Sequence, residues 1–273
     1  MNFELDVPTI LALVAGLLAT GCFGGILAGL LGVGGGIVVV PALFWVLTIL
    51  DFPPDISSHL AVATSLATII PTSISSMRAH ARRGTIDVSL LKLWGPAIVL
   101  GALIGGVLSK VIPGDGLRLV FGSVAIVVAI NMAIPKTLVI AQSLPGSKLA
   151  NRTIAVVIGL ISSLMGIGGG TLTVPTLSAF SFAVHRAVGT AAAMGLLIAV
   201  PGVLGFVWSG WDVAGRPPLS LGYVNLAAVM IIAPVSYLMA PLGVRLAHAL
   251  NPRMLKIAFA VFLFITALRM LTA

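Results

Sequence analysis

Residues Gly32 to Pro41 read G-V-G-G-G-I-V-V-V-P, and Gly166 to Pro175 read G-I-G-G-G-T-L-T-V-P. Gly32, Gly34, Gly35, Gly36, Val40 and Pro41 match Gly166, Gly168, Gly169, Gly170, Val174 and Pro175 at one constant offset. Each copy follows an apolar run. A triple glycine costs a helix roughly 1 kcal/mol per residue relative to alanine. In lipid no water satisfies the freed backbone, so such a break persists only where it is buried in protein or lines a cavity. Matching breaks in two halves of a hydrophobic chain point to a transporter's binding site.

The rest of the chain supplies that hydrophobic setting. It has 273 residues, 59% hydrophobic and 8% charged, with a mean hydropathy of +1.19. Soluble domains carry about 25% charged residues, so this composition defines an integral membrane protein. Apolar runs near the spanning length of about 20 residues recur along it. Frequent proline and glycine without strict alternation argue against a β-barrel. The net charge of +8 suggests nucleic acid only until the basic residues are placed. They sit in short loops between apolar runs, the positive-inside pattern. The single cysteine, Cys22, excludes an internal disulfide and reads as a small packing residue. The first residues, with Glu4 and Asp6 and no Lys or Arg, do not resemble a cleaved signal peptide.

The expected fold is an all-α polytopic membrane protein built from two inverted-topology repeats. Each repeat has a glycine-broken helical hairpin, re-entrant or as two short passes, and three spanning helices. Residues 1–135 form the first repeat, 136–152 a cytoplasmic linker and 153–273 the second repeat. The duplication extends past the glycines. His59-Leu-Ala-Val-Ala-Thr64 echoes His185-Arg-Ala-Val-Gly-Thr190, Pro96 and Gly105 echo Pro234 and Gly243, and Leu117 and Phe121 echo Leu255 and Phe259. Loops 78–87, 136–152 (with Lys136, Lys148 and Arg152) and 245–256 are basic and expected inside. Loops 51–58, 112–116 and 209–218 are neutral or acidic and expected outside. With 136–152 inside and 209–218 outside, 187–208 crosses once, so 153–184 crosses an even number of times. By equivalence the N-terminus lies outside and the halves are inverted. Residues 8–31 are long enough to cross alone, which strains that equivalence.

A helix that restarts at such a break presents unpaired N–H groups and about half a positive charge. Glycine lets an anion reach the backbone. Gly34, Gly35, Gly36, Gly168, Gly169 and Gly170 are therefore candidate substrate ligands, joined by hydroxyls of Thr171, Thr64, Ser65 and Thr190. The competing reading is that the glycines only let helices pack closely. His59 and His185 are proton-coupling candidates, or plain interface histidines. Arg78, Arg82 and Arg83 either gather anions or only set topology. Trp94, Trp208 and Trp211 read as interfacial anchors, and Asn131, Asn225 and Tyr237 as interhelical hydrogen bonds. No spacing suits a metal, a cofactor or a nucleophile–base pair. The glycine run lacks the βαβ setting and acidic residue of a dinucleotide loop.

The L-x-G-x-G-G-G-x-x-x-V-P pattern at Leu30 to Pro41 and Leu164 to Pro175, with the H-x-A-V-[AG]-T echo after each, resembles the TauE/SafE family of membrane permeases, known as sulfite exporters. The resemblance covers essentially the whole chain. It implies a secondary transporter of small sulfur-containing anions, sulfite or organosulfonates, in a prokaryotic inner membrane. The expected partners are that anion, membrane lipid and coupled protons. An anion channel of the same architecture, or a multipass membrane enzyme or assembly factor, are the alternatives. The enzyme reading needs ionisable residues at membrane depth, and almost none sit at mid-span.

Overall fold

The computed structural model describes residues 6–134, 139–249 and 252–272. Glu4 and Lys136 lie outside these, as do the side chains of Leu255, Phe259, Arg253 and Lys256. Within the described residues the chain forms helices α1 (Val7–Leu31), α2 (Gly36–Ile49), α3 (Pro54–Ala81), α4 (Val88–Leu108), α5 (Gly114–Ala133), α6 (Lys148–Met165), α7 (Gly170–Ala179), α8 (Val184–Ser209), α9 (Leu226–Ala249) and α10 (Pro252–Thr272). A two-residue antiparallel pair, β1 (Ser220–Leu221) and β2 (Val224–Asn225), precedes α9. Seven helices are long and apolar enough to cross a membrane; α2 is an apolar helix too short for it.

Both glycine motifs end a helix in the same way. Gly32 and Gly166 adopt left-handed φ values of 69° and 68° directly after α1 and α6. Gly32 N–H donates to Ala28 C=O at 2.9 Å. Glycine takes this helix-ending conformation without a Cβ penalty. Each chain then restarts as a short helix, α2 of 14 residues and α7 of 10. α6 begins at Lys148, so the last five residues of the expected linker are helical. They are nucleated by Ser147, whose hydroxyl accepts from Ala150 N–H at 3.4 Å. Residues 219–225 form a short β turn ahead of α9. Asn225 caps α9 by accepting from Ala228 N–H at 2.9 Å.

Close approaches fix the helix directions. Gly21, Gly25 and Gly29 of α1 face Ile232, Ser236 and Ala240 of α9 in rising order, so the two run parallel. Gly101 and Gly105 of α4 face Val156 and Leu160 of α6, again in parallel. Thr64 meets Asn225 and Ser75 meets Tyr237, making α3 and α9 parallel. Gly95 and Gly106 face Leu197 and Gly202, making α4 and α8 parallel. α3 and α4 are antiparallel, because His59 near the start of α3 reaches the carbonyl of Ser109 just after α4. Small residues are what allow such contacts between apolar helices, where van der Waals packing drives association.

It follows that α1 enters the bundle from the end where α3 begins, and α2 returns to that same end. α6 enters, and α7 returns, at the opposite end, where α8 begins. The 25 residues of α1 run almost the full depth of the bundle, with Gly29 C=O 3.1 Å from His80 Nε2 in the last turn of α3, before the chain doubles back. Loops 51–58, 112–116 and 209–218 gather at the His59 end. There Asp55 accepts from Gly114 N–H and the ring of His59 stacks on Tyr223 at 4.6 Å. The basic loop 82–87 and the residues around Val244 share the other end, where Arg83 donates to Val244 C=O at 3.0 Å.

Candidate functional site

The two glycine breaks cross one another in antiparallel register. Gly168 N–H donates to Val33 C=O at 3.1 Å. A Cβ on Gly34 would lie 3.1 Å from Gly168 Cα, and one on Gly170 would lie 2.5 Å from the Gly32 carbonyl. Gly36 meets Gly166 in the same way. Halfway along α3, Ile69 packs on Gly34, and the Ser65 hydroxyl donates to Gly166 C=O at 2.7 Å. Gly34, Gly36, Gly168, Gly170 and Ser65 therefore form one central crossing. Gly35 packs on Gly24 of α1, and Gly169 on Ala191 and Gly195 of α8.

The crossing is tight, and the space for a ligand lies beside it. A cavity of about 60 Å³ borders the start of α7, between the ends of α5 and the beginning of α8. Gly170, Thr171, Ser178, Asn131 and Val33 are among its lining residues. Thr171 is 2% exposed and its hydroxyl has no partner among the described residues. An orphaned buried hydroxyl costs about 1–3 kcal/mol. The first turn of α7 adds unpaired N–H groups and the positive end of the helix dipole. Neutral donors around a helix start suit a small anion.

The two tips differ in chemistry. Ser162, Ser163, Thr171 and Thr173 of the second hairpin, and Ser73 of α3, carry buried hydroxyls without partners among the described residues. At the constant offset of the motif, the first hairpin has Ala28, Gly29, Ile37 and Val39, all buried. Ile37 stands where Thr171 would be and belongs to the apolar core. A cradle shared equally by both tips is not what the side chains form.

Thr64 and Thr190 are occupied elsewhere. The Thr64 hydroxyl accepts from Asn225 N–H and that of Thr190 from Asp87 N–H, both at 2.9 Å. They hold the starts of α9 and α4, a matched pair of braces. Asp87 accepts from Ser89 and from Leu90 N–H, and pairs with Arg186 at 2.8 Å. The Ser89 hydroxyl first, then the Leu90 N–H, hold its carboxyl below the usual carboxylate range. His59 is buried, with Nδ1 2.8 Å from Asp55 C=O and Nε2 3.0 Å from the carbonyls of Ser109 and Ile112. Its counterpart His185 is exposed, so the matched histidines occupy unlike surroundings.

Some polar residues read differently in three dimensions. Trp94 is fully buried and donates to Asn151 Oδ1 at 3.0 Å. It clamps α4 to α6 and is not an interfacial anchor. Trp208 and Trp211 are exposed, and Lys110 lies over the Trp208 ring at 4.7 Å. Tyr237 accepts from Arg78 at 3.2 Å. Asn131, read from sequence as an interhelical hydrogen bond, lines the cavity. The signal was its polarity near the end of an apolar span. Ser178 gave no signal at all. Among the described residues no cluster of His, Cys, Asp or Glu could hold a metal ion.

A bundle of apolar helices, broken at its centre beside a small cavity with Thr171, Ser178 and Asn131 in its lining, defines a multi-pass membrane protein of the solute-carrying kind. The family described as Sulfite exporter TauE/SafE matches residues 17–270, and the chain belongs to that family. It is 35% identical over 255 residues to a "Probable membrane transporter protein" of Haemophilus influenzae, covering 93% of this chain and 96% of that one. It is 27% identical over 271 residues to "Probable membrane transporter protein MJ0441" of Methanocaldococcus jannaschii, covering 93% and 94%. To "Probable membrane transporter protein YunE" of Bacillus subtilis it is 27% identical over 262 residues, covering 87% and 88%. No solved structure matches the chain. The protein is a membrane transporter and not an enzyme.

Proposed function

We propose that the protein is a secondary transporter of a small sulfur-containing anion, sulfite or an organosulfonate, in the cell inner membrane. The anion binds beside the second glycine break, on the N–H groups of Gly170 and Thr171 and the Thr171 hydroxyl. The single observation that carries this is the buried, unpartnered Thr171 hydroxyl at a helix start inside a cavity. Residues 1–135 and 153–273 act as inverted repeats, a reading supported by the opposite entry of the two hairpins. The basic loops, the linker 136–152 among them, are then cytoplasmic and the N-terminus external. Alternating access follows from rocking one repeat against the other around the crossing. The tight packing of Gly34 on Gly168 favours this over an open anion channel. Protons are the proposed driving ion, and His185 is better placed than His59 to exchange them with water.

The test is flux into proteoliposomes with an imposed pH gradient, offering sulfite, sulfate, sulfoacetate, taurine and lactate. Gradient-stimulated flux of a sulfur anion, reduced at least about tenfold in Thr171→Val, is the expected result. A folded protein that moves none of them would sink the sulfur-anion reading. Flux indifferent to the gradient would remove the proton coupling alone. Rates near diffusion would make it a channel.

A further inference from the structure

We infer that Ser73 of α3 is a further ligand for the transported anion, placed against the start of α7 beyond the reach of the cavity. This rests on the reading of the α7 start as the substrate site and deepens it. Every other buried serine and threonine of α3 holds a hydrogen bond among the described residues. Thr72, the neighbour of Ser73, donates back to Thr68 C=O at 2.8 Å, and Ser76 reaches across to Ala28 C=O at 3.3 Å. Ser73 does neither, although it is only 1% exposed. A buried hydroxyl without a partner destabilises the fold, so its retention calls for another use.

Gly195 of α8 shows where that hydroxyl points. A Cβ on Gly195 would lie 2.7 Å from Ser73 Oγ and 3.5 Å from Gly169 N. The hydroxyl and the N–H group that leads into α7 therefore flank one point, which the missing Cβ leaves open. Gly169 N–H donates to no backbone carbonyl among the described residues, as befits a helix start. The first break is closed at the matching place. At the offset that relates His59 to His185, the counterpart of Gly195 is Ile69, and Ile69 packs on Gly34.

Ser73 also lies in a telling direction. On α8 the cavity is lined by Val184 and Val188, and Gly195 comes about two turns further from the end where α8 begins. An anion leaving the cavity for the opposite end thus passes from the Thr171 hydroxyl to that of Ser73. The N–H groups of the α7 start stand between the two and hold it throughout. The three oxygens of sulfite or of a sulfonate head can accept from both sides. The movement of the hairpin against α3 and α8 that alternating access requires widens this point.

The experiment measures the initial rate of sulfite uptake by the full chain in proteoliposomes, and the melting temperature with and without sulfite. Ser73→Ala should raise KM about tenfold, the loss of one hydrogen bond to a charged group. Its melting temperature without sulfite should hold or rise, and the stabilisation by sulfite should shrink. Ser73→Thr, which keeps the hydroxyl, should stay near the wild-type KM. Gly195→Ala fills the point between Ser73 and Gly169 and should also raise KM, with little further rise when combined with Ser73→Ala. A folded Ser73→Ala with the wild-type KM, beside a Thr171→Val that raises it, overturns the inference and leaves the α7 site intact. A lowered melting temperature with KM not rescued by Ser73→Thr gives Ser73 a structural part and also overturns it. If Ser73→Ala does not fold, a wild-type KM in Gly195→Ala overturns it. Wild type that neither moves sulfite nor is stabilised by it overturns the sulfur-anion reading, and this inference with it.

Discussion

At the scale of single residues, the glycines and hydroxyls of the centre make opposite predictions for stability. Gly34 has φ 73° and would place a Cβ 2.9 Å from Ile69 and 3.1 Å from Gly168. Gly34→Ala should therefore cost about 1–3 kcal/mol. Gly146→Ala, with nothing within 4 Å of the new carbon, is the neutral control in a thermal melt of the detergent-solubilised protein. Thr171→Val should act the other way, raising the melting temperature while flux falls, because it removes an orphaned hydroxyl. A variant that loses both stability and flux would show that the hydroxyl has a structural partner. Asp87 predicts a pH effect. Its folded pKa is depressed, so its contribution is present above the ordinary aspartate value of about 4 and is lost as pH falls through the folded value. The stability gap between wild type and Asp87→Asn should be constant near neutrality and close in acid. A gap that widens on acidification would contradict the hydrogen bonds assigned to it.

At the scale of elements, the question is where each hairpin enters. α1 and α2 both have their outer ends at the His59 end, while α6 and α7 have theirs at the Arg83 end. Single cysteines placed in a Cys22→Ala background at Asp51 and Asp212 should react with a membrane-impermeant maleimide from one side. Those at Arg83 and Ser143 should react only from the other. Labelling of Asp6→Cys and Asp51→Cys from opposite sides would mean that the first hairpin crosses the membrane. The glycine punctuation of these elements was legible in the sequence because a left-handed helix end requires glycine. The register in which the breaks cross was not, since Gly34 meets Gly168 only after four helices have packed. The length of α1 is that of a full crossing, and span length does not say where the chain turns back.

At the scale of the whole molecule, the cavity faces the Arg83 end through Asn131 and Val184. Transport by alternating access needs these two walls to move relative to each other. Asn131→Cys combined with Val184→Cys, joined by a short bis-maleimide, should stop flux, and more completely than the same reagent does on either single variant. Undiminished flux in the cross-linked protein would argue for a fixed pore. The gathering of the non-basic loops at one end, with Arg83 at the other, follows a segregation already visible in the chain.

By itself the sequence determined the membrane class, the duplication, the glycine-ended helices and the family. All four depend on composition, spacing and backbone conformation, which are local or periodic properties. Tertiary structure alone decided which hydroxyls are free. Thr64 and Thr190 read like ligands but brace helix starts, because Asn225 and Asp87 fold back onto them. Asn131 reads like an interhelical hydrogen bond and lines the cavity. Trp94 reads like an anchor but is buried against Asn151. The near-symmetric motifs promised two equal tips, yet Ile37 fills one and Thr171 leaves the other polar. The physical reason is that a hydroxyl's role is set by what lies within hydrogen-bond reach, and residues far apart in the chain decide that.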